Sequence, residues 1–197
     1  MIYPTPVAAG AVLLPGGSIF FSGKTFDDAR GSSIEVFDST CKSPANPAEF
    51  PLAQENIVST RRAGTCRGLH YQVSPSAQAK LVTVSSGAAQ FFWLPLDDGP
   101  EPAQVHSILL GPGPFSLFTP PDCAHGFLTL EDDTVFSLRL SERVSPDLRG
   151  EIAFEDPALK VEFAIPPDWS NLSGRDRTAP PFVRRRRALT LLSHRVP

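Results

Sequence analysis

Hydrophobic residues in this chain come in short runs that alternate with polar ones at a spacing of two. Alternation of that kind marks half-buried strands, whereas an amphipathic helix repeats every three to four residues. The pattern predicts strands over residues 18–21, 34–37, 79–85, 89–94, 104–110, 116–118, 127–130 and 134–139. Between them stand turn-forming clusters: Pro-Gly-Gly, Asp-Asp-Ala-Arg-Gly, Asp-Asp-Gly-Pro, Gly-Pro-Gly-Pro and Glu-Asp-Asp. Many short strands at this spacing predict an antiparallel sandwich or barrel. The apolar N-terminal stretch, interrupted by Pro4, Pro6 and Pro15 and lacking a basic leader, reads as an opening strand and not as a signal peptide. Residues 39–52 read as a Pro/Ala-rich loop, with one helical turn at most. Beyond Val144 the chain becomes turn-rich, which predicts short helices laid against a sheet. Residues 1–181 are read as one domain and 182–197 as a basic C-terminal tail, in which Arg184, Arg185, Arg186 and Arg187 form a solvated run.

Composition sharpens this picture in one respect. The 197 residues include 21 prolines, about twice the usual ~5%. Proline breaks helix interiors and central strand ladders, so a helical bundle is excluded in favour of short strands. A net charge of −3 argues against a nucleic-acid-binding surface. No apolar run approaches the roughly 20 residues that span a bilayer, so no membrane partner is expected. Three cysteines, Cys41, Cys66 and Cys123, are an odd number without metal-type spacing. They read as reduced thiols of a cytoplasmic protein.

Side chains with chemical potential fall in three places: around Arg67 to Gln72 with Lys80 beyond, around Pro120 to Phe127, and around Leu172 to Asp176. If His70 and Lys80 lie on neighbouring strands of a barrel, alternation can point both into its cavity. A neutral imidazole there can take a proton from carbon beside a carbonyl. The resulting enolate oxygen needs a positive group, which Lys80 can supply. A carboxylate on the far ring nitrogen would fix the tautomer, and Asp176 is one candidate that spacing alone does not select. The competing interpretation is a hydrogen-bonded core histidine and a surface lysine. A metal held by His70 and His125 is the rival chemistry. Without a His-x-His pair or a nearby Glu, and with His106 and His194 in unpromising contexts, no metal is expected.

The words RGLHYQ, QAKLV, PPDCAHGFLTL, EDPALKVEF and LSGRD followed by a proline, with DDARGSSIE and QENIVS upstream, occur in this order from about residue 26 to 181. Their combination resembles the dTDP-4-dehydrorhamnose 3,5-epimerase family. The resemblance implies an all-β, cupin-like β-jelly-roll with short C-terminal helices. It also implies a homodimer that works without metal or cofactor on a small-molecule substrate, a dTDP-linked 4-keto-6-deoxy sugar. By the matched words, His70 corresponds to the catalytic base and Asp176 to its carboxylate partner. Lys80 matches the lysine near the 4-keto oxygen. Arg67 and Arg30 match positions that meet the pyrophosphate, for which a planar guanidinium is suited. Glu35, Gln54 and Asn56 match polar positions of the nucleotide or sugar site, and His125 a sugar-proximal histidine.

The chain also departs from the family's pattern. Counting back from Asp156-Pro157, Leu138 and Val144 stand where the family has two tyrosines, the second being its proposed general acid. Cys123 is a candidate substitute acid, and the family's aromatic at Ser33 is absent. The base half of the machinery is thus expected intact and the acid half missing. The resulting expectation is an epimerase-like enzyme that inverts one carbon, most simply C3. The alternatives are a divergent cupin using the same His–Asp base for enolisation or cyclisation of a natural-product intermediate, and a sugar-nucleotide-binding protein without turnover.

Overall fold

The computed structural model describes residues 10–36, 51–96 and 104–182. Cys41, most of the 39–52 loop and the arginine run lie outside the described residues. Among the described residues are thirteen strands, eleven of which make a two-sheet antiparallel sandwich while the other two form a separate hairpin. They are β1 (Gly10–Leu13), β2 (Ile19–Ser22), β3 (Thr25–Asp28), β4 (Gly31–Ile34), β5 (Gln54–Thr60), β6 (Cys66–Gln72) and β7 (Lys80–Ser86). Then follow β8 (Ala89–Pro95), β9 (His106–Leu110), β10 (Phe115–Thr119), β11 (Cys123–Thr129), β12 (Thr134–Leu140) and β13 (Arg149–Glu151). One sheet has the order β1-β2-β10-β7-β12-β5 and the other β13-β6-β11-β8-β9. Sequence neighbours such as β6 and β7 sit in different sheets, which is the mark of a jelly-roll. The fold is all-β and cupin-like, as the sequence implies.

Alternation assigns the faces. Ala89, Phe91 and Trp93 of β8, Phe127 of β11, Val82 and Val84 of β7, Leu117 of β10 and Phe136 of β12 meet between the sheets. Phe91, Phe127 and Phe136 pack edge to face or tilted, with Phe127 and Phe136 centroids 4.8 Å apart. Such pairs add about 0.5–1.5 kcal/mol each beyond the area they bury. The intervening residues of the five-stranded sheet, Leu69, Tyr71, Phe92, Leu94, Ala124 and Leu128, form a second apolar layer with Ile152, Phe154, Leu159 and Phe182 of the C-terminal segment. That segment runs through short 3-10 turns at Pro146–Leu148, Pro157–Leu159 and Trp169–Asn171 to the helix α1 (Gly174–Arg177). The Phe182 N–H donates to Asp156 Oδ2 at 2.6 Å and its ring is buried, so the folded unit includes residue 182.

Two features differ from the sequence expectation. The opening strand is split in two, because Pro15–Gly17 form a turn that folds β1 back on β2. Strands β3 and β4 pair only with each other, and every residue in them is exposed. Alternation has no buried face to report in such a hairpin, so its strands are not legible.

Candidate active site

The edge strands of the two sheets, β5 on one side and β6 with β13 on the other, border a cleft of about 840 Å³. His70, Asp176, Ser173, Arg67, Arg149, Arg175, Arg61 and Arg62 are among the residues that line it.

Strand β6 supplies Arg67 and His70 to the same side despite their odd spacing. The ladder with β11 shifts register between His125 and Phe127, and an extra residue there is a bulge. Gly68 occupies that position with φ near 120°. A Cβ on it would stand 2.6 Å from Gly126 Cα and 2.9 Å from the His125 carbonyl oxygen, so only glycine fits. Cys66 and Leu69 consequently face the outer apolar layer, while Arg67 lies over the inward-facing Phe127 ring, 5.9 Å from its centroid. His70 pairs across the ladder with His125 on one side and Glu151 on the other.

Asp176 reaches His70 from α1, 106 residues away in sequence, with Nε2 and Oδ1 2.6 Å apart. The His70 side chain is 21% exposed and that of Asp176 3%. Ser173 caps the helix by accepting the Asp176 N–H, and its hydroxyl donates to Oδ2 at 2.8 Å. Burial pushes the Asp176 carboxyl up, but the hydrogen bond and charge of His70, with Ser173 and the Gly68 N–H, hold it below the usual carboxylate value. An ionised carboxylate accepts, so Nε2 must donate and the other ring nitrogen, Nδ1, is left with its lone pair. A ring held in this way can receive a proton at Nδ1.

Lys80 opens β7, with the same inward parity as Val82 and Val84. It is not a surface lysine: it is buried, and its ammonium donates to the His70 carbonyl at 3.4 Å. Nor do Lys80 and His70 sit on neighbouring strands; they project from opposite sheets. Burial lowers the Lys80 ammonium to about 7, with Cys123 opposing and Arg149 reinforcing that shift. His125 is pushed well below its ordinary value, first by burial and then by Lys80, His70 and Arg149, so it stays neutral. Gln54 and Asn56 share the inner face of β5, joined by a 3.1 Å hydrogen bond from Gln54 Nε2 to Asn56 Oδ1. Leu138 lies directly across from Asn56, and the Val144 N–H donates to Gln54 Oε1 at 3.3 Å. The two positions without tyrosine therefore adjoin the polar pair of β5.

Arg30 and Glu35 are not brought to the cleft within this chain. Arg30 sits at the tip of the exposed hairpin, 2.6 Å from Asp28, and Glu35 follows β4. The cleft instead offers cations that sequence reasoning did not select: Arg61, Arg62, Arg149 and Arg175. Glu151 stands between two of them, with Oε1 3.7 Å from Arg149 Nε and 3.8 Å from Arg175 Nε. Arg175 belongs to the LSGRD word and could have been found there; Arg61, Arg62 and Arg149 carry no such signal. Among the described residues no cluster of three or more His, Cys, Asp or Glu side chains is placed to hold a metal ion. Nor is any described helix long and apolar enough to cross a membrane.

Comparison with known proteins places this geometry in context. The family model for dTDP-4-dehydrorhamnose 3,5-epimerase matches residues 14–184. The dTDP-4-dehydrorhamnose 3,5-epimerase of Sinorhizobium fredii is 33% identical over 144 residues, which cover 71% of this chain and 72% of that protein. The crystal structure of the Bacillus anthracis dTDP-4-dehydrorhamnose 3,5-epimerase, with TDP and PPi bound, superposes with a TM-score of 0.76 at 27% identity, covering 89% of this chain and 100% of that one. NovW of Streptomyces spheroides, a 4-keto-6-deoxy sugar epimerase, superposes with a TM-score of 0.83 over 95% of this chain and 94% of its own, and at 23% identity the likeness is one of fold.

Proposed function

Because the chain belongs to the dTDP-4-dehydrorhamnose 3,5-epimerase family, we propose that it removes a proton beside the carbonyl of a dTDP-4-keto-6-deoxy sugar and epimerises that sugar at C3. The observation that carries this reading is the His70–Asp176 pair, 2.6 Å apart at the wall of a cleft rich in arginine. In the proposed reaction Asp176 holds the imidazole in one tautomer and supports the imidazolium that forms. His70 takes the C3 proton, and Lys80 stabilises the enolate oxygen. Arg67, with the neighbouring Arg175, Arg61 and Arg62, receives the pyrophosphate. His125, Gln54 and Asn56 meet the sugar or nucleotide.

Arg30 and Glu35 act, on this proposal, from a second copy of the chain. The exposed hairpin that carries Arg30 displays Phe26 at 57% and Ile34 at 41% exposure, and a homodimer would cover them. The buried thiols of Cys66 and Cys123, neither in a disulfide, suit a reducing cytoplasm.

The test is incubation with a dTDP-4-keto-6-deoxy sugar in D₂O followed by NMR. Deuterium at C3, with inversion there and none at C5, is expected. Deuterium at both carbons would refute single-carbon epimerisation. Leu138 and Val144, lacking acidic protons, favour a second reading, ligand binding without turnover. Absence of all C–H exchange in the wild type, unchanged by His70→Ala, would establish it.

A further inference from the structure

The proposed reaction leaves two charged residues beside the base without a task, Arg149 and Glu151. Strand β13 carries both, and its ladder with β6 sets Glu151 opposite His70 and Arg149 opposite Gln72. Paired residues of an antiparallel ladder point the same way, so both side chains lie on the side of the base. On β6, Arg67 precedes His70 by three residues and Gln72 follows it by two. At ~3.3 Å per residue, the backbone anchors of Arg67 and Arg149 stand roughly 16 Å apart along the strand, with the base between them.

Glu151 Oε1 approaches Arg149 Nε to 3.7 Å and Arg175 Nε to 3.8 Å. Both separations are too long for a hydrogen bond, and among the described residues this solvent-shielded oxygen has no hydrogen-bond partner. Through it the carboxylate draws both guanidinium groups by charge while using none of their N–H donors. The Glu151 side chain is 14% exposed, whereas that of Arg149 is 27% exposed and lines the cleft with His70. Arg149 is also near enough to Lys80 and His125 to disfavour a proton on either. Those two residues flank His70, one at its carbonyl and one across the ladder. Arg149 therefore serves the neighbourhood of the base, whereas Arg61 and Arg62 stand on the turn between β5 and β6. A guanidinium donates and never accepts, so Arg149 calls for an accepting oxygen there.

Resting on the proposed binding of a dTDP-linked sugar, we propose that Arg149 is a specificity-determining residue that donates to a hydroxyl oxygen on the reacting carbon of the sugar or on its neighbour, and that Glu151 is the positioning residue that holds it there. With the diphosphate at Arg67 and the sugar at His70, the ring occupies the part of the cleft between the base and Arg149. The planar fork of a guanidinium can span oxygens on two adjacent carbons, which fixes the ring as well as holding it. A sugar without those oxygens leaves the guanidinium unpaired and is rejected. Glu151 also attracts Arg175, which neighbours Asp176 on α1, so one carboxylate ties the phosphate side of the cleft to the sugar side.

Calorimetry with two ligands separates a sugar contact from a phosphate contact. One ligand is dTDP; the other is a dTDP-6-deoxyhexose with hydroxyls at C2, C3 and C4, which has no ketone and does not enolise. The quantity read is the Kd for dTDP divided by the Kd for the dTDP-sugar. Arg149→Met is expected to lower this ratio about tenfold or more. A ratio within twofold of wild type would overturn the assignment, and so would equal weakening of both ligands, the mark of a phosphate contact. Glu151→Gln is expected to lower the ratio about threefold or more, and to change it no further once Arg149 is Met. An unchanged ratio in Glu151→Gln, or an equal drop in the Arg149→Met background, would overturn the positioning role. Neither ligand turns over, so the comparison does not depend on catalysis. A wild-type protein that binds neither ligand at millimolar concentration would instead refute the sugar-nucleotide reading itself, and this inference with it.

Discussion

Replacing Asp176 by Asn tests the core of the mechanism while preserving side-chain shape. The carboxylate is 2.6 Å from His70 Nε2 and ionised. With both charges spread over their groups, an effective separation of about 4 Å and an effective dielectric near 20 give roughly 4 kcal/mol for the imidazolium–carboxylate pair. The ring is 21% exposed, and solvent screening brings the usable part to roughly 3 kcal/mol. At about 1.4 kcal/mol per tenfold, this predicts a fall of ~10²-fold in the rate of proton abstraction. The assay is the initial rate of deuterium incorporation at C3 of a dTDP-4-keto-6-deoxy sugar at pH 7.5. KM should change little, because the carboxylate does its work as the imidazolium forms. Thermal melting of Asp176→Asn should stay within a few degrees of wild type, since Asn still offers an acceptor to the Ser173 hydroxyl. An exchange rate within threefold of wild type would refute the role given to this pair.

Three further outcomes follow from burial and backbone geometry. Gly68→Ala must tolerate φ near 120° and a Cβ 2.6 Å from backbone at Gly126, so urea melts should show a loss of about 3 kcal/mol or more; a loss below 1 kcal/mol would contradict the packing described. Native Lys80 is neutral above about 7, whereas an unfolded lysine keeps its proton to about 10.4. Between these values the unfolded state binds the extra proton, so wild-type stability rises with pH by up to about 1.4 kcal/mol per unit. Lys80→Met removes this slope, so its stability relative to wild type should be greatest at pH 6.5 and smallest near pH 9.5; no change with pH would argue against a buried ammonium. Burial, reinforced by Asp176 and Glu155, pushes the Cys66 thiol up. Iodoacetamide at pH 8 should therefore leave Cys66 unmodified in the native protein and modify it after denaturation, as read by peptide mass; rapid native alkylation would contradict its burial.

Alternation alone located most of the strands that line the core. In β7 and β8 one side of every second residue is apolar because it meets the other sheet, and that constraint is written locally. The matched words named His70, Arg67 and Asp176, which line one cleft, and Lys80 and His125, of which the first bonds to the His70 carbonyl and the second pairs with His70 across the ladder. What was legible in each case was a residue's type and its immediate neighbours.

Strands β5 and β6 escaped the pattern for a physical reason. Their inward positions carry the polar Gln54, Asn56, Arg67 and His70, the last two of which line the cleft and not the core. The Gly68 bulge also breaks the two-residue period. Likewise, nothing local indicates that Arg149 and Glu151 stand beside His70, or that Arg61 and Arg62 share its cleft. Those relations depend on β13 pairing with β6 and on the β5 edge lying opposite, which are long-range contacts. The sequence by itself determined most of the core strands, the candidate base and its charged companions. Only the tertiary structure decided that His70 and Lys80 come from opposite sheets, because strands adjacent in the chain are separated by the jelly-roll crossover.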